Sequence, residues 1–527
     1  MTTVSGTAGD GTRSREVFTL VYAVFVAGLC SIIYELLIAT TLAYFEGDSV
    51  TYFSLTIGLY MAAMGAGAYA SKYLTGNLML VLVAAETALG FLGGFSIPVL
   101  YWAFANTDAI VELYVALTLL VGFLIGLEVP LLTRLLERYD SLRVSIAHVL
   151  SLDYLGALIA TVAFPLVLLP LFGTFRSGLF FGLMNMSIGL LLIWRFSDRI
   201  GRGAAALFRA LSVLIALSIL AGLVFAHHLL GMWNASVYEG RVLHAERTRF
   251  QQIVLARHRA DLRLYLDGNL QFSSLDEYRY HELLVHVPMA ALRSAGRTGL
   301  DVLMLGGGDG LAVRELLKHN IVERVTLVDL DPAVTRIGRE NPHVTALNGN
   351  SLTADSRVRV VNADAFGFLR QDTRLYDLVL ADLPDPNNTD LARLYTREFY
   401  RLVRNRLAPD GLFVTQSTSP VHARRAFWTI HDTLAAEFAH TYPYHALVPS
   451  FGDWGFVLAA DRPVDVTGAA QSINVETRYL DAGVFPSLFR FEKDIGPPGG
   501  KTPAAISTLD QPVILRHYLD GWRQWER

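Results

Sequence analysis

Long apolar stretches dominate the amino-terminal part of this chain. About 17–25 mainly apolar residues are enough for a helix to cross a bilayer. Stretches of this length are Val17–Tyr44, Thr51–Leu74, Leu78–Phe104, Ile110–Leu132, Ala147–Phe172, Ser177–Trp194 and Ala204–Leu230. The first one follows a short polar tail and is followed by six more, so we do not expect it to be a cleaved signal peptide. The sequence therefore predicts a multi-pass α-helical bundle of about seven helices over residues 1–232, embedded in the cell (inner) membrane.

Basic residues in the connections between these stretches predict the orientation of the bundle. One set of alternate connections is basic, whereas the opposite set contains Arg176 among acidic residues. The basic set contains Arg13, Arg15, Lys72, Arg134, Arg138, Arg143, Arg195, Arg199, Arg202 and Arg209. The positive-inside rule then places the amino terminus in the cytoplasm, and seven crossings would place the rest of the chain outside. Arg241, Arg247 and Arg249, just after the last stretch, favour the opposite side. A re-entrant segment and an external second half both remain open.

Several ionisable residues fall within or beside the apolar stretches. An ionised group there costs a few kcal/mol or more unless it is paired or faces water. The residues are Glu35, Glu86, Glu112, Glu128, His148 and Asp153. Two interpretations stay open: mutual pairing, or a cation path or amine site inside the bundle.

Cysteine content and charge exclude some classes of function. The only cysteine, Cys30, lies in the first apolar stretch. A single cysteine excludes an intramolecular disulfide framework and a cysteine-based metal site, and we predict no metal site. The net charge of −4 gives no reason to expect nucleic acid as a partner.

The second half of the chain has the pattern of a water-soluble α/β protein. A small β-strand domain is predicted over residues 233–290, with strands at Gln252–Leu255 and Leu262–Leu266 and a turn at Asp267-Gly268. Further strands alternate with helical patterns such as Leu391–Leu407, which predicts a parallel, doubly wound, Rossmann-like sheet of the methyltransferase type over residues 291–490. Those strands are Val302–Leu305, Val325–Val328, Val358–Val361, Leu378–Ala381 and Leu412–Gln416. Residues 491–527 are expected to form a carboxyl-terminal extension packed on this domain.

The turn Gly306-Gly307-Gly308-Asp309-Gly310 connects the first of these strands to a helical pattern over Leu311–His319. Glycine permits positive φ angles and a close approach of ligand to backbone, and the helix amino terminus offers unpaired N–H groups. A phosphate would suit those donors, but Asp309 would repel it. The turn therefore favours a nucleoside ligand that carries a cation, such as a sulfonium or an amine.

Carboxylates also follow the ends of the other parallel strands, where ligands of such sheets bind. They are Asp329, Asp331, Asp364, Asp382 and Asp385. Asp329 and Asp364 have two interpretations each, as helix caps or as ligands of a ribose and of an adenine amino group. Asp382 and Asp385 stand in a proline-stiffened loop, where like charges raise the pKa of one another unless a cation lies between them. This pair favours an amine that is held and deprotonated.

The motifs together resemble the spermidine synthase (polyamine aminopropyltransferase) family, and in particular its multi-pass, membrane-fused members. The resemblance covers about Ala245 to Ala460. Its motifs are Phe250-Gln251-Gln252-Ile253, Leu266-Asp267-Gly268-x-x-Gln271, Asp276-Glu277-Tyr278-x-Tyr280-His281-Glu282, Gly306–Gly310 with Arg314-Glu315-Leu-Leu-Lys-His319, Val328-Asp329-Leu-Asp331, and Asp382-x-x-Asp385-Pro386 with Glu398-Phe399-Tyr400.

The resemblance implies transfer of an aminopropyl group from decarboxylated S-adenosylmethionine, a co-substrate, to a di- or polyamine, with putrescine the first expectation. Methylthioadenosine would be released, and no permanently bound cofactor is implied. Asp382 would be the proton acceptor. The nucleoside would contact Gln251, Gly306, Gly308, Asp329, Asp364 and Ala365. The amine would contact Tyr280, His281, Asp309 and Asp385. His281 remains open to a second interpretation as an ordinary buried histidine, and the expected assembly is a homodimer on a lipid bilayer.

Departures from the family pattern lie around acceptor recognition. Leu383 and Pro384 replace small or hydroxyl residues, Thr389 replaces a proline, and Phe451 lacks the phenol that would contact the amine. The acceptor could therefore differ from putrescine. Two other functions stay open: an S-adenosylmethionine-dependent methyltransferase, against which Asp309 argues, and a polyamine transporter or sensor without turnover.

Overall fold

The computed structural model describes residues 7–46, 49–238, 240–498 and 505–525. It divides the chain into two units, Met1–Glu239 and Gly240–Arg527. Residue 239 of the predicted strand domain, and residues 499–504 and 526–527 of the predicted carboxyl-terminal extension, lie outside the described residues.

The regular elements in the described part of the first unit are all helices. Its α-helices are α1 (Thr7–Glu46), α2 (Ser49–Ala70), α3 (Leu78–Asn106), α4 (Ile110–Leu136), α5 (Leu142–Ala163), α6 (Leu169–Ile200), α7 (Arg202–Val224) and α8 (Ala226–Val237). A single π-helical turn at Phe164–Leu168 joins α5 to α6. Pro165 within this turn has no N–H to donate, which accounts for the local change of helical form.

Six helical runs in the described residues are long and apolar enough to cross a membrane, one fewer than predicted. The difference lies in the run Leu142–Ile200, whose 59 residues contain two of the predicted stretches. A helix of that length extends about 88 Å, nearly three times a bilayer core of about 30 Å. Gly173, with φ 68° and ψ 178°, interrupts the run between the two predicted stretches. The predicted division at this point is therefore confirmed in the backbone.

Glu86 and Glu128 are the fully buried members of the predicted ionisable set, with 0% and 3% exposure. Asn185 Nδ2 donates to Glu86 Oε2 over 2.7 Å. Oε1 of Glu86 and Oε1 of Glu128 are buried without a hydrogen-bond partner among the described residues. Glu112 and His148 are exposed instead. Both interpretations of the ionisable set therefore stay open.

The second unit begins with a four-stranded antiparallel sheet in the order β1-β2-β3-β4. Its strands are β1 (Arg241–Arg247), β2 (Gln252–His258), β3 (Asp261–Leu266) and β4 (Asn269–Ser273). Asp267 and Gly268 have φ angles of 47° and 80°, so the predicted tight turn is confirmed. The strands occupy only part of the predicted 233–290 domain, because α8 extends to Val237 and a helix begins at Glu277.

A seven-stranded sheet forms the rest of the second unit, in the order β10-β11-β9-β8-β5-β6-β7. Its strands are β5 (Leu300–Gly306), β6 (Val322–Asp329), β7 (Val358–Asn362), β8 (Tyr376–Asp382), β9 (Leu407–Gln416), β10 (His440–Val448) and β11 (Gly452–Ala460). The strands β5 to β9 pair in parallel, as predicted. The sequence analysis did not assign β10 and β11, which form an antiparallel hairpin on the β9 edge.

Helices cover both faces of this sheet. They are α9 (Glu277–Ser294), α10 (Leu311–Leu317), α11 (Pro332–Glu340), α12 (Pro342–Asn348), α13 (Ala365–Gln371), α14 (Thr389–Ala392), α15 (Arg397–Arg404), α16 (Arg424–Ala435) and α17 (Val513–Trp522). Alternate residues of β5 enter different cores: Val302 and Met304 pack with α9, and Leu303 and Leu305 pack with α15 and α16. Burial on both faces explains why the parallel strands read as continuous apolar runs.

Candidate active site

The parallel strands end at one edge of the sheet, and the ends of three neighbouring strands, β8, β5 and β6, each carry a candidate residue. Gly306 at the end of β5 lies in register with Asp382 at the end of β8. Asp329 at the end of β6 pairs with Asn362 of β7. The strand order reverses at β5, which has β6 on one side and β8 on the other. Ligands of doubly wound sheets bind at such a reversal, so the predicted residues meet where a ligand is expected.

The glycine loop closely approaches two of these aspartates. Gly306 has a φ angle of 80°, and a Cβ there would lie 2.0 Å from the backbone carbonyl oxygen of Asp382. A Cβ on Gly308 would lie 2.6 Å from Asp329 Oδ2, to which the Gly308 N–H donates over 3.0 Å. Any larger residue at these positions would displace the backbone of Asp382 or the carboxylate of Asp329.

Asp382 is oriented by Tyr280, which projects from α9. The Tyr280 hydroxyl donates to Asp382 Oδ1 over 2.6 Å. The other oxygen, Oδ2, lies 3.0 Å from the position of a Cβ built on Gly307. Burial raises the pKa of Asp382, while His281 and the Tyr280 hydroxyl oppose the rise. The sequence analysis attributed a raised pKa to the neighbouring Asp385; the structure attributes it to loss of water, so that reason was wrong.

Asp309 lies beside His281 and Asp382 and is 8% exposed. Its Oδ1 accepts the backbone N–H of Leu311 over 2.9 Å, which fixes the carboxylate at the start of α10. Burial raises the pKa of Asp309 to about 6, with His281 opposing and Asp382 adding to the rise. A buried carboxylate with this pKa is charged near neutral pH and attracts a cation.

His281 belongs to a buried charge network that the sequence analysis missed. Its Nδ1 lies 2.8 Å from Glu277 Oε2, and Glu277 accepts two hydrogen bonds from Arg314 over 3.0 and 2.9 Å. Burial alone would lower the pKa of His281, but the hydrogen bond and charge of Glu277, with Asp382 and Asp309, raise it. His281 is thus both a buried, anchored histidine and a neighbour of the site carboxylates. Glu277 stood in a quoted motif, yet its partner Arg314 is too distant in sequence to signal the pairing.

Asp331, and not Asp329, is the residue that caps the helix after β6. Asp331 caps α11 by accepting the Ala333 N–H over 3.0 Å. Asp329 instead accepts the N–H groups of Gly308 and Asp331, each over 3.0 Å, and burial raises its pKa to about 6. The capping interpretation of Asp329 was wrong. Gln251 Nε2 lies 3.3 Å from Asp331 Oδ2, which places Gln251 next to this strand end.

Asp364 caps α13, as one interpretation predicted. Its Oδ2 accepts the Gly367 N–H over 2.8 Å, and its Oδ1 accepts from Arg393 over 2.5 Å. Ala365 is the first residue of this helix and is 8% exposed. An adenine amino group would therefore meet a carboxylate that already has two donors.

Asp385 is held by donors at the end of β9. Gln416 Nε2 and Thr418 Oγ1 each donate to its carboxylate over 3.1 Å. Burial raises the pKa of Asp385 to about 6, and the side chains of Gln416, Tyr518 and Thr418 oppose the rise. Gln416 also donates to the Leu383 carbonyl over 2.7 Å, so it contacts the backbone of the loop as well as Asp385.

Of the residues that depart from the family pattern, Phe451 lies near Tyr280. The ring of Phe451 lies 6.0 Å from that of Tyr280 and 5.0 Å from that of Trp454. The carbonyls of Leu383 and Pro384 accept from the Tyr395 hydroxyl, which holds the loop between the two acids. Thr389 is exposed at the start of α14. No group of three or more His, Cys, Asp or Glu side chains suited to a metal ion occurs in the described residues.

This arrangement defines a class of protein. A glycine loop at the reversal of a doubly wound sheet, followed by an acid at the end of the next strand, is the usual setting for a nucleoside. Buried carboxylates beside that loop suit a cationic group. The fold and the site are those of a transferase that acts on a nucleoside-linked group.

Comparisons with known proteins identify the family. The family model described as spermine/spermidine synthase domain matches residues 277–466. A polyamine aminopropyltransferase of Leptospira interrogans is 38% identical over 508 residues, which cover 96% of this chain and 99% of the relative. Polyamine aminopropyltransferase 2 of Ralstonia nicotianae is 40% identical over 511 residues, 95% of this chain and 98% of the relative. The chain belongs to the polyamine aminopropyltransferase family, and the matched length includes its amino-terminal helices.

Solved structures match about half of this chain. A spermidine synthase from Thermotoga maritima and a spermidine synthase in complex with the transition state analogue AdoDATO each match with a TM-score of 0.44 and 25% identity. Each match covers 49% of this chain and 88% of the other.

Proposed function

We propose that the protein transfers an aminopropyl group from decarboxylated S-adenosylmethionine to a di- or polyamine, with putrescine the first candidate acceptor. The observation that carries this proposal is the half-buried acid Asp382, fixed by Tyr280 and facing the glycine loop beside Asp309. Such carboxylates attract a cationic amine and accept a proton from it. The family of the chain supports the same reaction.

The reaction needs a neutral amine next to the donor. Asp382 accepts a proton from the ammonium group, which frees the nitrogen lone pair. The nitrogen then attacks the methylene carbon next to the sulfonium, a C–N bond forms, and the C–S bond breaks. The electron pair of that bond neutralises the sulfur, and methylthioadenosine leaves. Holding both reactants in line supplies several kcal/mol of the barrier reduction.

Each side of the site has a proposed set of residues. The donor nucleoside is bound by Gly306, Gly308, Asp329, Asp364 and Ala365, with Asp329 accepting from the ribose hydroxyls and Gln251 close by. The acceptor amine is bound by Tyr280, His281, Asp309 and Asp385.

Selection against S-adenosylmethionine follows from Asp309. That donor carries a carboxylate. A charged Asp309, which is only 8% exposed, would repel this carboxylate. Titration calorimetry with the two donors tests this point. Preferential binding of S-adenosylmethionine would show that the protein is a methyltransferase.

Turnover itself is tested with purified full-length protein, decarboxylated donor and a series of diamines. Methylthioadenosine should appear with at least one amine. Binding of amines without product would favour a sensor or transporter. The series also shows which amine is the preferred acceptor. Leu383, Pro384 and Phe451 lie near the acids or Tyr280, so we expect them to influence that preference.

The amino-terminal unit is proposed to anchor the enzyme in the cell membrane. Its six long apolar runs support this placement. An even number of crossings would return the second unit to the side of the amino terminus, and an odd number would not. A reporter fused to the carboxyl terminus determines the side, and light scattering of the purified protein tests the expected homodimer.

A further inference from the structure

A buried tyrosine outside the proposed substrate-binding set holds the loop between Asp382 and Asp385. The Tyr395 hydroxyl donates to the Pro384 carbonyl over 2.9 Å and lies 3.3 Å from the Leu383 carbonyl. The tyrosine is fully buried, so water does not compete for these contacts. The conformation of the loop therefore depends on a hydroxyl group that the proposed reaction does not use.

The hydrogen bond to Pro384 acts directly on Asp385. The Pro384 carbonyl and the Asp385 N–H belong to the same planar peptide unit, so a contact that fixes one of them fixes the other. The preceding carbonyl, that of Leu383, also accepts from Gln416 Nε2 over 2.7 Å. Two successive peptide units, the second of which begins Asp385, are thus held by side chains from outside the loop.

Tyr395 itself has a fixed position. It ends a short 3-10 turn, Arg393–Tyr395, and the next residue, Thr396, caps α15 by accepting the Phe399 N–H over 3.4 Å. Thr396 Oγ1 also donates to the Arg393 carbonyl over 2.8 Å. The Tyr395 ring packs in the apolar core formed with α15 and α16. The hydroxyl is therefore a rigid support for the loop.

The side chain of Leu383 ties the same loop to the glycine turn. Its Cδ2 atom lies 3.3 Å from the position of a Cβ built on Gly306. Leu383 thus contacts the donor half of the site through its side chain, while Tyr395 and Gln416 hold its carbonyl. Because Leu383 directly follows Asp382, these contacts define where Asp385 lies relative to the proton acceptor.

Gln416 links the tyrosine hydroxyl to the carboxylate. Its Nε2 donates to the Tyr395 hydroxyl, to Asp385 Oδ1 over 3.1 Å and to the Leu383 carbonyl. An amide nitrogen has two hydrogens for these three acceptors. Loss of the hydroxyl would leave the Pro384 carbonyl without this donor and would let the amide turn. Both the backbone and the carboxylate of Asp385 would then lose a fixed position.

We propose that the Tyr395 hydroxyl is a positioning group that sets the separation of Asp382 and Asp385, and that this separation determines which length of diamine the site accepts. This inference rests on the proposed function, in which Asp382 takes the proton and Asp385 binds the acceptor. Tyr395 is not placed in contact with the amine; it acts through the loop. Leu383 and Pro384, which it holds, are residues that depart from the family pattern.

The test compares full-length wild type with Y395F, which removes the hydroxyl and keeps the buried ring. Initial rates are measured with decarboxylated donor and with diaminopropane, putrescine and cadaverine, which differ by one methylene each. We expect the KM for the preferred diamine to rise about fivefold, as for loss of one neutral hydrogen bond, and the donor KM to stay within about twofold. The ratio of kcat/KM between the preferred diamine and its nearest homologue should fall at least about threefold, because a site that no longer fixes both acids discriminates less by one methylene.

This selectivity ratio separates positioning from a loss of folded protein. A smaller amount of active enzyme lowers the rates with every diamine by the same factor, which cancels in the ratio. Y400F is the matched control, because Tyr400 of α15 is also fully buried and its hydroxyl has no hydrogen-bond partner among the described residues. It should leave the amine KM and the selectivity ratio unchanged.

Two further variants complete the experiment. P384A keeps the carbonyl but removes the ring that restricts the loop, so it should also lower the selectivity ratio, which covers the case of a Y395F protein that does not fold. In a D385N background, Y395F should raise the amine KM by less than about twofold, because the carboxylate that it positions is already neutral. A fivefold rise in both backgrounds would overturn the assignment of this effect to Asp385.

Amine binding separates this inference from the proposed function. Calorimetry with the three diamines in the presence of methylthioadenosine measures affinity and its dependence on length without turnover. If wild type makes no product but its length selectivity in binding is lost in Y395F, the inference stands and the proposed reaction fails. If the reaction proceeds and both Y395F and P384A keep the wild-type ratio, the inference is overturned. A wild type that neither binds nor converts amines would overturn both.

Discussion

The hydroxyl of Tyr280 and Oδ1 of Asp382 are joined by a hydrogen bond of 2.6 Å between α9 and the end of β8. This bond fixes the carboxylate plane and directs Oδ2 towards Gly307. Because Tyr280 is the hydrogen-bonding partner of Asp382 among the described residues, Oδ2 is left to receive a proton. The proton-accepting oxygen of Asp382 therefore faces the glycine loop.

Replacing this acid should abolish most of the proton transfer. We expect D382N to lower kcat by about 100- to 10,000-fold, the usual contribution of a general base. The affinity for methylthioadenosine should change little, because Asp382 is not proposed to contact the nucleoside. Steady-state kinetics and calorimetry measure the two quantities. An unchanged kcat would show that another group takes the proton.

Activity should fall as the pH drops through about 6. Burial raises the pKa values of Asp309 and Asp385 to about 6, so both lose their charge, and their attraction for an amine, below that pH. The same raised pKa values mean that the folded state binds extra protons, so their contribution to stability declines as pH rises from about 4 to about 6. Measured with saturating donor from about pH 5 to about pH 9, kcat/KM for the amine should fall on the acidic side of this range, near pH 6. D385N should make the limb shallower, and an identical profile would contradict the assignment.

The Glu277–Arg314 pair should matter more for stability than an exposed pair. Glu277 is 1% exposed and Arg314 20%, so E277Q removes a buried charge partner from His281 and from Arg314, which keeps only its pair with Glu315. We expect E277Q to reduce the free energy of unfolding by about 3 kcal/mol. The matched control is E246Q, which breaks a pair with Arg336 that is 31% and 47% exposed and should cost less than about 1 kcal/mol. Thermal unfolding compares them, and equal losses would contradict the role of burial.

Two glycines with the same φ angle separate backbone strain from site geometry. Gly306 and Gly268 both have a φ of 80°, but a Cβ would meet the Asp382 carbonyl at 2.0 Å in the first and nothing within 4 Å in the second. We expect G306A to lower kcat about 100-fold by shifting Asp382. G268A should cost only about 1 kcal/mol of stability from strain and leave kcat unchanged. Similar kinetics for the two variants would show that the close approach at Gly306 has no catalytic consequence.

The sequence predicted the local features of this site well. Apolar runs located the five parallel strands, and the acids at their ends are brought together as expected because parallel strands end at one edge. The helix predicted over Leu391–Leu407 was only partly right. It is broken at Thr396, which caps α15 by accepting the Phe399 N–H, and Leu407 already begins β9.

Contacts between distant segments were not predictable from the same patterns. Arg314 and Glu277 lie 37 residues apart, and Arg393 reaches Asp364 across 29 residues. Such pairs depend on how helices pack on the sheet, and neither periodicity nor residue spacing along the chain encodes them.

Asp329 and Asp385 should separate the two substrates in kinetics. Asp329 accepts N–H groups from Gly308 and Asp331 with both of its oxygens, so D329N turns one acceptor into a donor that faces an N–H. That conflict disturbs the glycine loop, and we expect the donor KM to rise about 10- to 100-fold, the range for hydrogen bonds to a charged group, with the amine KM nearly unchanged. D385N should do the reverse, because Asp385 is held by Gln416 and Thr418 at the end of β9 and not by the glycine loop. Initial rates over a grid of both substrates give the two KM values for each variant. If either substitution raised both values equally, the donor and acceptor halves of the site would not be separate, and the assignment of Asp385 to the amine would fail.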